Sequence, residues 1–412
     1  MIDYRHLTKN IIPENNIIIA KARGIILWDT EGKDYIDFSA QTLNLSQGQC
    51  HPELTKTAIT QLRHYTFLSS RFVCEPFLQL SKTIVNLAPK GLTKINIKLS
   101  DGSDANESAF KRVRSYHKKQ TIASLYKSHL GETSETLAAS GKHSKNRYYT
   151  GGSQKFVFFP PPHPDFIPSC ETVKEAEKTS LLGLKNLIAE NSDICGVIVE
   201  PIMVNAGVYI LSPSYLNGLR ALCDDYQISL IFDEIQTAFG WLGTFFAASR
   251  YKASPDILTM GKAISPGFPL AAILMRPKYD VLEYGEDEFT NGGHPLSCAV
   301  ALKNIEIIKH MKIKKIVSER SALILKLLTA LQKKHPFIKE IRGEGLIWGI
   351  DFGKNISPLG ANQIYTRALS NGLILRKSCD GLGSSLVIKL PLTITAAEIE
   401  EGIKRLEQSL FP

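Results

Sequence analysis

From about Cys50 onward, short apolar runs alternate with amphipathic stretches of a dozen or so residues, and this alternation constrains the fold more than any other feature. Thr55–Tyr65 and Phe77–Leu87 read as helices and Ile95–Leu99 as a strand. Helix Val173–Glu190 then leads to strand Gly196–Val199, and helix Pro213–Tyr226 to strand Ile228–Phe232. Strands separated by helices of that length are joined by right-handed crossovers, not by tight hairpins. The expected fold is therefore α/β, a large domain with a mostly parallel sheet flanked by helices. The chain ends read differently. GIILWDTEGKDYIDF, with Gly24 and Glu31-Gly32 as punctuation, reads as a hairpin. From Leu296 a long helical segment precedes Ile341–Ile350 and the strand-rich Leu373–Leu390. The expected division is a large domain over 46–295, a smaller α+β domain over 296–412, and an N-terminal segment, 1–45, joined to the smaller one. Ser140–Ser153 reads as a polar loop and is followed by the proline cluster Pro160–Pro164.

Composition excludes several classes. With 43% hydrophobic and 22% charged residues over 412 positions, the chain has enough apolar material for a core and is not disordered. The 49 basic residues against 40 acidic ones give +9, which raises the question of an anionic partner. The basic runs at Lys111–Arg114, Lys309–Lys315 and Lys333–Lys334 lie in helical stretches with apolar partners. They read as solvated helix faces, and no nucleic acid is expected. Seven cysteines (Cys50, Cys74, Cys170, Cys195, Cys223, Cys298, Cys379) form no CxxC or zinc spacing, so neither a metal nor a disulfide framework is expected. MIDYRHLTKNIIPENN lacks the apolar stretch of a signal peptide, and no 18-residue apolar run occurs. The expectation is a cytoplasmic protein without a membrane partner.

Ligands of open α/β sheets bind beyond the carboxyl ends of the strands. Three such ends carry chemistry. After Ile95–Leu99 comes Ser100-Asp101-Gly102-Ser103-Asp104, opening a helix. It reads either as a phosphate cup, with Gly102 admitting close backbone approach and Ser103 adding a hydroxyl, or as an ordinary helix start with Ser103 or Asp104 as cap and Glu107 closing a capping box. After Ile228–Phe232 come Asp233 and Glu234. A buried carboxylate at a strand end needs a partner, either a protonated heteroaromatic nitrogen or a cap or salt bridge. In Pro255-Asp256-Ile257-Leu258-Thr259-Met260-Gly261-Lys262, the lysine follows an apolar run and a glycine; it reads either as a structural or exposed lysine or as a desolvated ammonium, which would be nucleophilic toward carbonyls. A phosphate cup, a buried aspartate and a desolvated lysine on one sheet are the three things that pyridoxal 5′-phosphate requires of a protein.

The same segments resemble the class III aminotransferases, which belong to the fold-type-I pyridoxal-phosphate enzymes. DGSDANESAFKRVR resembles their SGSEANEAAIKLAR, VIVEPI their VxxEPI, and IFDEIQTAFGWLG their DEVQTGFGRTG. PDILTMGKAISPGFPLAA is similar to PDxxxxGKxxGGGxPxxA, TNGGHPLSCAVAL to TxxGNPLxCAAAL, and IRGEGLIWGI to VRGxGLMxGI. The 29-residue spacing from Asp233 to Lys262 also agrees with the family. The resemblance implies an aminotransferase that moves an amino group from an amine or amino-acid donor to a keto acid, aldehyde or ketone. Lys262 would form the Schiff base and shuttle the proton, and Asp233 would keep the ring nitrogen protonated. Gln236 would contact the ring hydroxyl. The amides of Gly102 and Ser103, with the Ser103 hydroxyl, would hold the phosphate, and Glu200 of VIVEPI falls among the cofactor-binding residues. Thr290 would reach the phosphate of the neighbouring subunit's cofactor, which implies a homodimer with shared active sites. An aminomutase, an amino-acid epimerase or a decarboxylating transaminase would keep the same machinery and is the alternative. A non-catalytic interaction protein is disfavoured because the whole set of residues is present.

Departures from the family pattern bear on the substrate. The SYHGxT motif reads Ser128-His129-Leu130-Gly131-Glu132-Thr133, which puts His129 at the position that stacks on the cofactor, with Tyr126 as the alternative. Glu132 stands where ornithine-type members carry a carboxylate-binding arginine, and Asn205 replaces their gating glutamate. The arginine before the PPL motif is missing, and SSLVIKLPLTIT offers only Lys389. Arg376 reads as a carboxylate anchor or as a surface arginine. An acid at position 132 repels a carboxylate and attracts an amine. The resemblance with these departures implies an amine, a diamine, or an amino acid with a distal or absent carboxylate as donor.

Overall fold

The computed structural model describes residues 4–11, 13, 15–141, 155–378 and 384–410. The N-terminal hairpin forms as expected. Strands β1 (Ile19–Arg23), β2 (Ile26–Asp29) and β3 (Asp34–Asp37) make an antiparallel meander, and Gly32 takes the left-handed conformation at φ +87° in the tight β2–β3 turn.

The central sheet has seven strands. Five come from the first part of the chain or from its middle: β4 (Lys94–Leu99), β5 (Thr121–Leu125), β6 (Phe156–Phe159), β7 (Ile194–Val199) and, after the small ribbon β8 (Ile202–Met203) and β9 (Tyr209–Ile210), β10 (Ser229–Asp233). Strands β11 (Ile257–Met260) and β12 (Ala271–Met275) complete the order β4-β12-β11-β10-β7-β5-β6. Neighbours pair in parallel except at β12, which runs antiparallel to both β11 and β4. Every residue of β5, β7, β10, β11 and β12 is buried, as a sheet with helices on both faces demands. Alternate side chains feed two separate cores: Val197, Val199, Leu230 and Phe232 enter one, and Ile198 and Ile231 the other.

Helices Val173–Glu190 and Pro213–Asp225 lie where the apolar periodicity puts them, the first closed by a capping box of Thr172 and Glu175. The helix after β4 begins earlier than expected. It spans Gly102–His117, and its cap is Asp101, whose carboxylate accepts the Ser103 N–H while Asp104 accepts the Asp101 N–H. Glu107 has no part in this box. The solvated-face reading of Lys111–Arg114 also needs correction. Arg112 is buried, and with Lys111 and the Ser108 hydroxyl it converges on the carboxylate of buried Asp287.

Near the C-terminus, β13 (Glu340–Glu344) and β14 (Ile347–Asp351) pair antiparallel, and β15 (Leu373–Ile374) leaves this region to pair in parallel with β3. Strands β16 (Arg376–Lys377) and β17 (Ser385–Lys389) finish the second sheet in the order β13-β14-β17-β16. Between them and the central sheet run the long helices Pro295–His310 and Ile313–Lys334. No helix among the described residues is long and apolar enough to cross a membrane. The six described cysteines form no disulfide; Cys379 and most of the polar loop Ser140–Ser153 lie outside the described residues.

Candidate active site

The carboxyl ends of β4, β5, β10 and β11 face one edge of the central sheet, and residues beyond them line a cavity of about 530 Å³. That is the size of a small-molecule pocket. The cup residues Gly102 and Ser103, the strand-end residues Asp233 and Gln236, and Lys262 all line it, with His129 and Glu132. Residues far apart in sequence meet here because parallel crossovers return every strand to the same edge.

Asp233 closes β10, one strand from the β11 end that leads to Lys262, and is 4% exposed. Its Oδ2 accepts Asn106 Nδ2 at 2.8 Å and its Oδ1 accepts the Ile235 N–H at 3.0 Å. Its carboxyl is pushed up to about 6, burial outweighing the opposing pull of the Asn106 and Ile235 hydrogen bonds and the Lys262 ammonium. Asn106 is held in turn by Leu130 O and by the Thr259 hydroxyl, so the aspartate cannot turn without breaking a buried network. Asn106 went unremarked in the sequence reading. Its signal was an amide on the helix face shared with Gly102, Ser103, Ala109 and Phe110, all small or apolar.

Lys262 sits two residues beyond β11 at φ +48°, a left-handed conformation that costs a non-glycine residue free energy and turns the side chain out of the sheet toward the cavity. Burial of the ammonium drives its pKa down; the charges of Asp233 and Glu200 oppose this, and that of Arg376 adds to it. Arg376, on β16, is half-buried and lies outside the cavity lining, close enough for its charge to act on Lys262. Glu200 is likewise buried and off the lining; its Oε1 accepts the His129 N–H at 2.8 Å and so holds the backbone that presents His129. Tyr126 lies against Phe158, outside the lining, and Leu130 is buried. Of the two rings weighed for stacking, only His129 borders the cavity.

Two glycines leave room that side chains would fill. A Cβ on Gly102 would come within 2.8 Å of Ile235, and one on Gly131, at φ +141°, within 2.4 Å of the Thr136 hydroxyl and 2.6 Å of that of Ser103. Gly131 therefore lets its loop close on the Ser103 side chain of the cup, and Gly102 lets the cup close on Ile235. Ser103 Oγ accepts the Glu132 N–H at 3.2 Å, which leaves its own proton available to a ligand. The Ser103 N–H is engaged by Asp101 Oδ1 at 2.9 Å, so a phosphate there competes with that carboxylate, a feature hidden in the sequence. Glu132 is 72% exposed, with its carboxylate 4.0 Å from His129 Nδ1.

Two more of the residues named from the sequence lie off the cavity lining. Lys389 does not stand in for a carboxylate-binding arginine at the substrate end of the pocket: it is fully buried in β17, and its Nζ donates to Gln236 Oε1 at 3.0 Å. Thr290 is exposed and does not line the cavity of its own chain. Asp287, three residues before it, anchors that loop to helix Gly102–His117 through Ser108, Lys111 and Arg112.

A pocket with a carboxylate held rigid at one wall, a desolvated lysine beside it and a hydroxyl-bearing helix start at another fits an aromatic aldehyde with a ring nitrogen and an anionic tail. Known proteins agree. The pattern of the family described as Aminotransferase class-III matches residues 10–410. An acetylornithine/succinyldiaminopimelate aminotransferase of Buchnera aphidicola is 34% identical, over 100% of this chain and 97% of the relative. An acetylornithine aminotransferase of Methanocaldococcus jannaschii is 31% identical, over 95% and 93%. The crystal structure of a Bacillus anthracis aminotransferase superposes with a TM-score of 0.89 at 27% identity, covering 99% of this chain and 96% of that one. Sequence, fold and pocket chemistry converge on one conclusion: the chain belongs to the class III aminotransferases and is a pyridoxal 5′-phosphate-dependent transaminase of fold type I.

Proposed function

We propose that Lys262 carries the cofactor and moves the proton during transfer, with Asp233 pairing with the ring nitrogen, His129 stacking on the ring and Gln236 meeting its hydroxyl. Gly102 and Ser103 hold the phosphate together with Thr290 of a second subunit, and Glu200 braces His129. Bound pyridoxal phosphate supplies a carbonyl conjugated to an electron-accepting ring. The chain supplies the rest. The desolvated Lys262 nitrogen keeps a larger neutral fraction near pH 7 than a surface lysine, as both attack on a carbonyl and proton removal require. The ionised Asp233 carboxylate favours a proton on a nitrogen placed against it, and Asn106 keeps that carboxylate aimed.

The donor in this reading is an amine, a diamine, or an amino acid whose carboxylate is distal or absent. The observation that carries it is Glu132, an exposed carboxylate on the cavity wall. A second reading, an acylated ornithine, is favoured by the names of the two relatives above. A donor panel with 2-oxoglutarate or pyruvate as acceptor separates them. Diamines and simple amines are expected to react best, and Glu132→Gln to lower kcat/KM for a diamine roughly fivefold, since an exposed ion pair contributes about 1 kcal/mol or less. Best turnover with acetylornithine, with diamine rates indifferent to Glu132→Gln, sinks the amine reading in favour of the second.

The same proposal includes a homodimer, a cytoplasmic location, and the division into a domain over 46–295 and a lobe from 1–45 and 296–412. Pairing of β15 with β3 supports the shared lobe. Ile59, Leu62, Phe67, Phe72, Val73 and Leu78 are exposed apolar side chains, and Phe67 lies 6.1 Å from the His294 ring, four residues from Thr290, which supports a subunit contact beside that loop. Sedimentation of the wild type at twice the monomer mass is expected, and Phe72→Asp combined with Val73→Lys should yield monomers with weakened cofactor binding. A monomeric wild type of full activity refutes the shared site.

A further inference from the structure

Lys389 is buried to 0% exposure in β17, paired opposite Ile347 of β14, with its backbone N–H donating to Phe38 O at 2.7 Å. A buried ammonium is expensive unless its protons are well engaged. This one reaches Gln236 Oε1 at 3.0 Å, behind the cavity wall that Gln236 forms. The contact has a directional consequence. An ammonium has three donors and no acceptor, so it tolerates only the amide orientation that turns the Gln236 oxygen toward it. The Gln236 NH₂ is then committed away from Lys389, and the amide presents a donor, backed by a positive charge, to whatever group it meets in the cavity.

A donor of that kind favours an anionic oxygen over a neutral hydroxyl. We propose that Lys389 is a positioning residue for cofactor chemistry: by fixing the Gln236 amide, it holds the ring oxygen of bound pyridoxal phosphate in its ionised form. The inference rests on the proposed contact between Gln236 and the ring hydroxyl and goes beyond it in naming what sets the polarity of that contact. It also gives a reason for a lysine in the strand where an apolar residue would pack at lower desolvation cost.

The test reconstitutes apo-protein with pyridoxal phosphate and reads two quantities at fixed pH: the dissociation constant, and the ratio of the visible absorption band of the ionised ring oxygen to the near-ultraviolet band of its protonated form. Lys389→Met should weaken cofactor binding about tenfold, the effect of losing one charge-assisted hydrogen bond, and shift absorbance toward the near-ultraviolet. Lys389→Gln, which keeps a polar chain but permits either amide orientation, should shift the ratio in the same direction and serves if the methionine variant does not fold. In a Gln236→Ala background neither substitution should change the ratio or the affinity further. A ratio unchanged in Lys389→Gln, or an effect that persists undiminished without the glutamine, overturns the inference while leaving the proposed function standing. Absence of any cofactor band in the wild type overturns both.

Discussion

Lys262→Ala is expected to lower amino transfer by about 10⁴-fold or more, because the proposed function makes one nitrogen both the attachment point of the cofactor and the acid and base of the proton shift. Steady-state rates with the best donor of the panel give the first measure. The variant should still take up pyridoxal phosphate through Asp233 and the Ser103 cup. Borohydride reduction followed by peptide mapping should leave a pyridoxyl group on Lys262 of the wild type and on no peptide of the variant. Wild-type turnover in the variant removes Lys262 from the mechanism. A stability measurement gives an independent check. A lysine whose folded pKa lies below its ordinary 10.5 binds fewer protons folded than unfolded, so its contribution to stability rises with pH from the depressed value up to 10.5. Apo Lys262→Ala should therefore be at least as stable as apo wild type at pH 7, and the difference should move in the wild type's favour as the pH is raised toward 10.

Asp233→Asn should cost about 10³-fold in kcat/KM, the scale of removing a preorganised electrostatic group from a water-excluded site. The amide has nearly the same shape, so its effect separates charge from packing. Stability has two opposed terms. Asn removes a carboxyl whose ordinary pKa of 3.8 is pushed up to about 6, so above pH 6 it relieves an ionisation penalty of about 3 kcal/mol. It also brings an NH₂ against either the Asn106 amide or the Ile235 N–H, which loses one buried hydrogen bond and costs roughly 1–3 kcal/mol. The two nearly cancel near pH 7. The sign with pH follows from the raised value: the wild-type carboxyl favours the fold while protonated, and this advantage is lost as the pH rises from about 4 through about 6. The wild type should therefore gain on Asp233→Asn below pH 5. A variant that unfolds outright at pH 7 makes the residue structural, and one with less than a tenfold loss in kcat/KM removes the electrostatic role.

Much of this site was legible before any coordinates. Hydrophobic periodicity placed Val173–Glu190 to the residue and the β10 ends to within one, because helix and strand periods are local properties of the chain. Asp233 and Lys262 each have an ordinary reading alone, as a cap or salt bridge and as a structural or exposed lysine, and stand out only together with the Gly102–Ser103 cup at the ends of one sheet. What failed was of another kind. The helix start was misread because Asp101, Ser103 and Asp104 are all competent caps, and backbone dihedrals choose among them. Arg112 was assigned to solvent because its partner, Asp287, is 175 residues away in sequence. Lys389 is what the sequence offers near the missing arginine, and its contact with Gln236, 153 residues away, is invisible there.

The sequence alone determined the α/β class, the edge of the sheet where a ligand binds and the residue types that meet there, since these follow from periodicity, chain connectivity and the handedness of crossovers. Only the tertiary structure decided which way each group is turned: His129 at the cavity with Tyr126 outside it, Asp101 on the amide of Ser103, Asn106 on Asp233, Lys389 behind Gln236. Orientation in a buried site is set by hydrogen bonds between residues distant in the chain, and in a close-packed interior each such bond depends on all its neighbours at once.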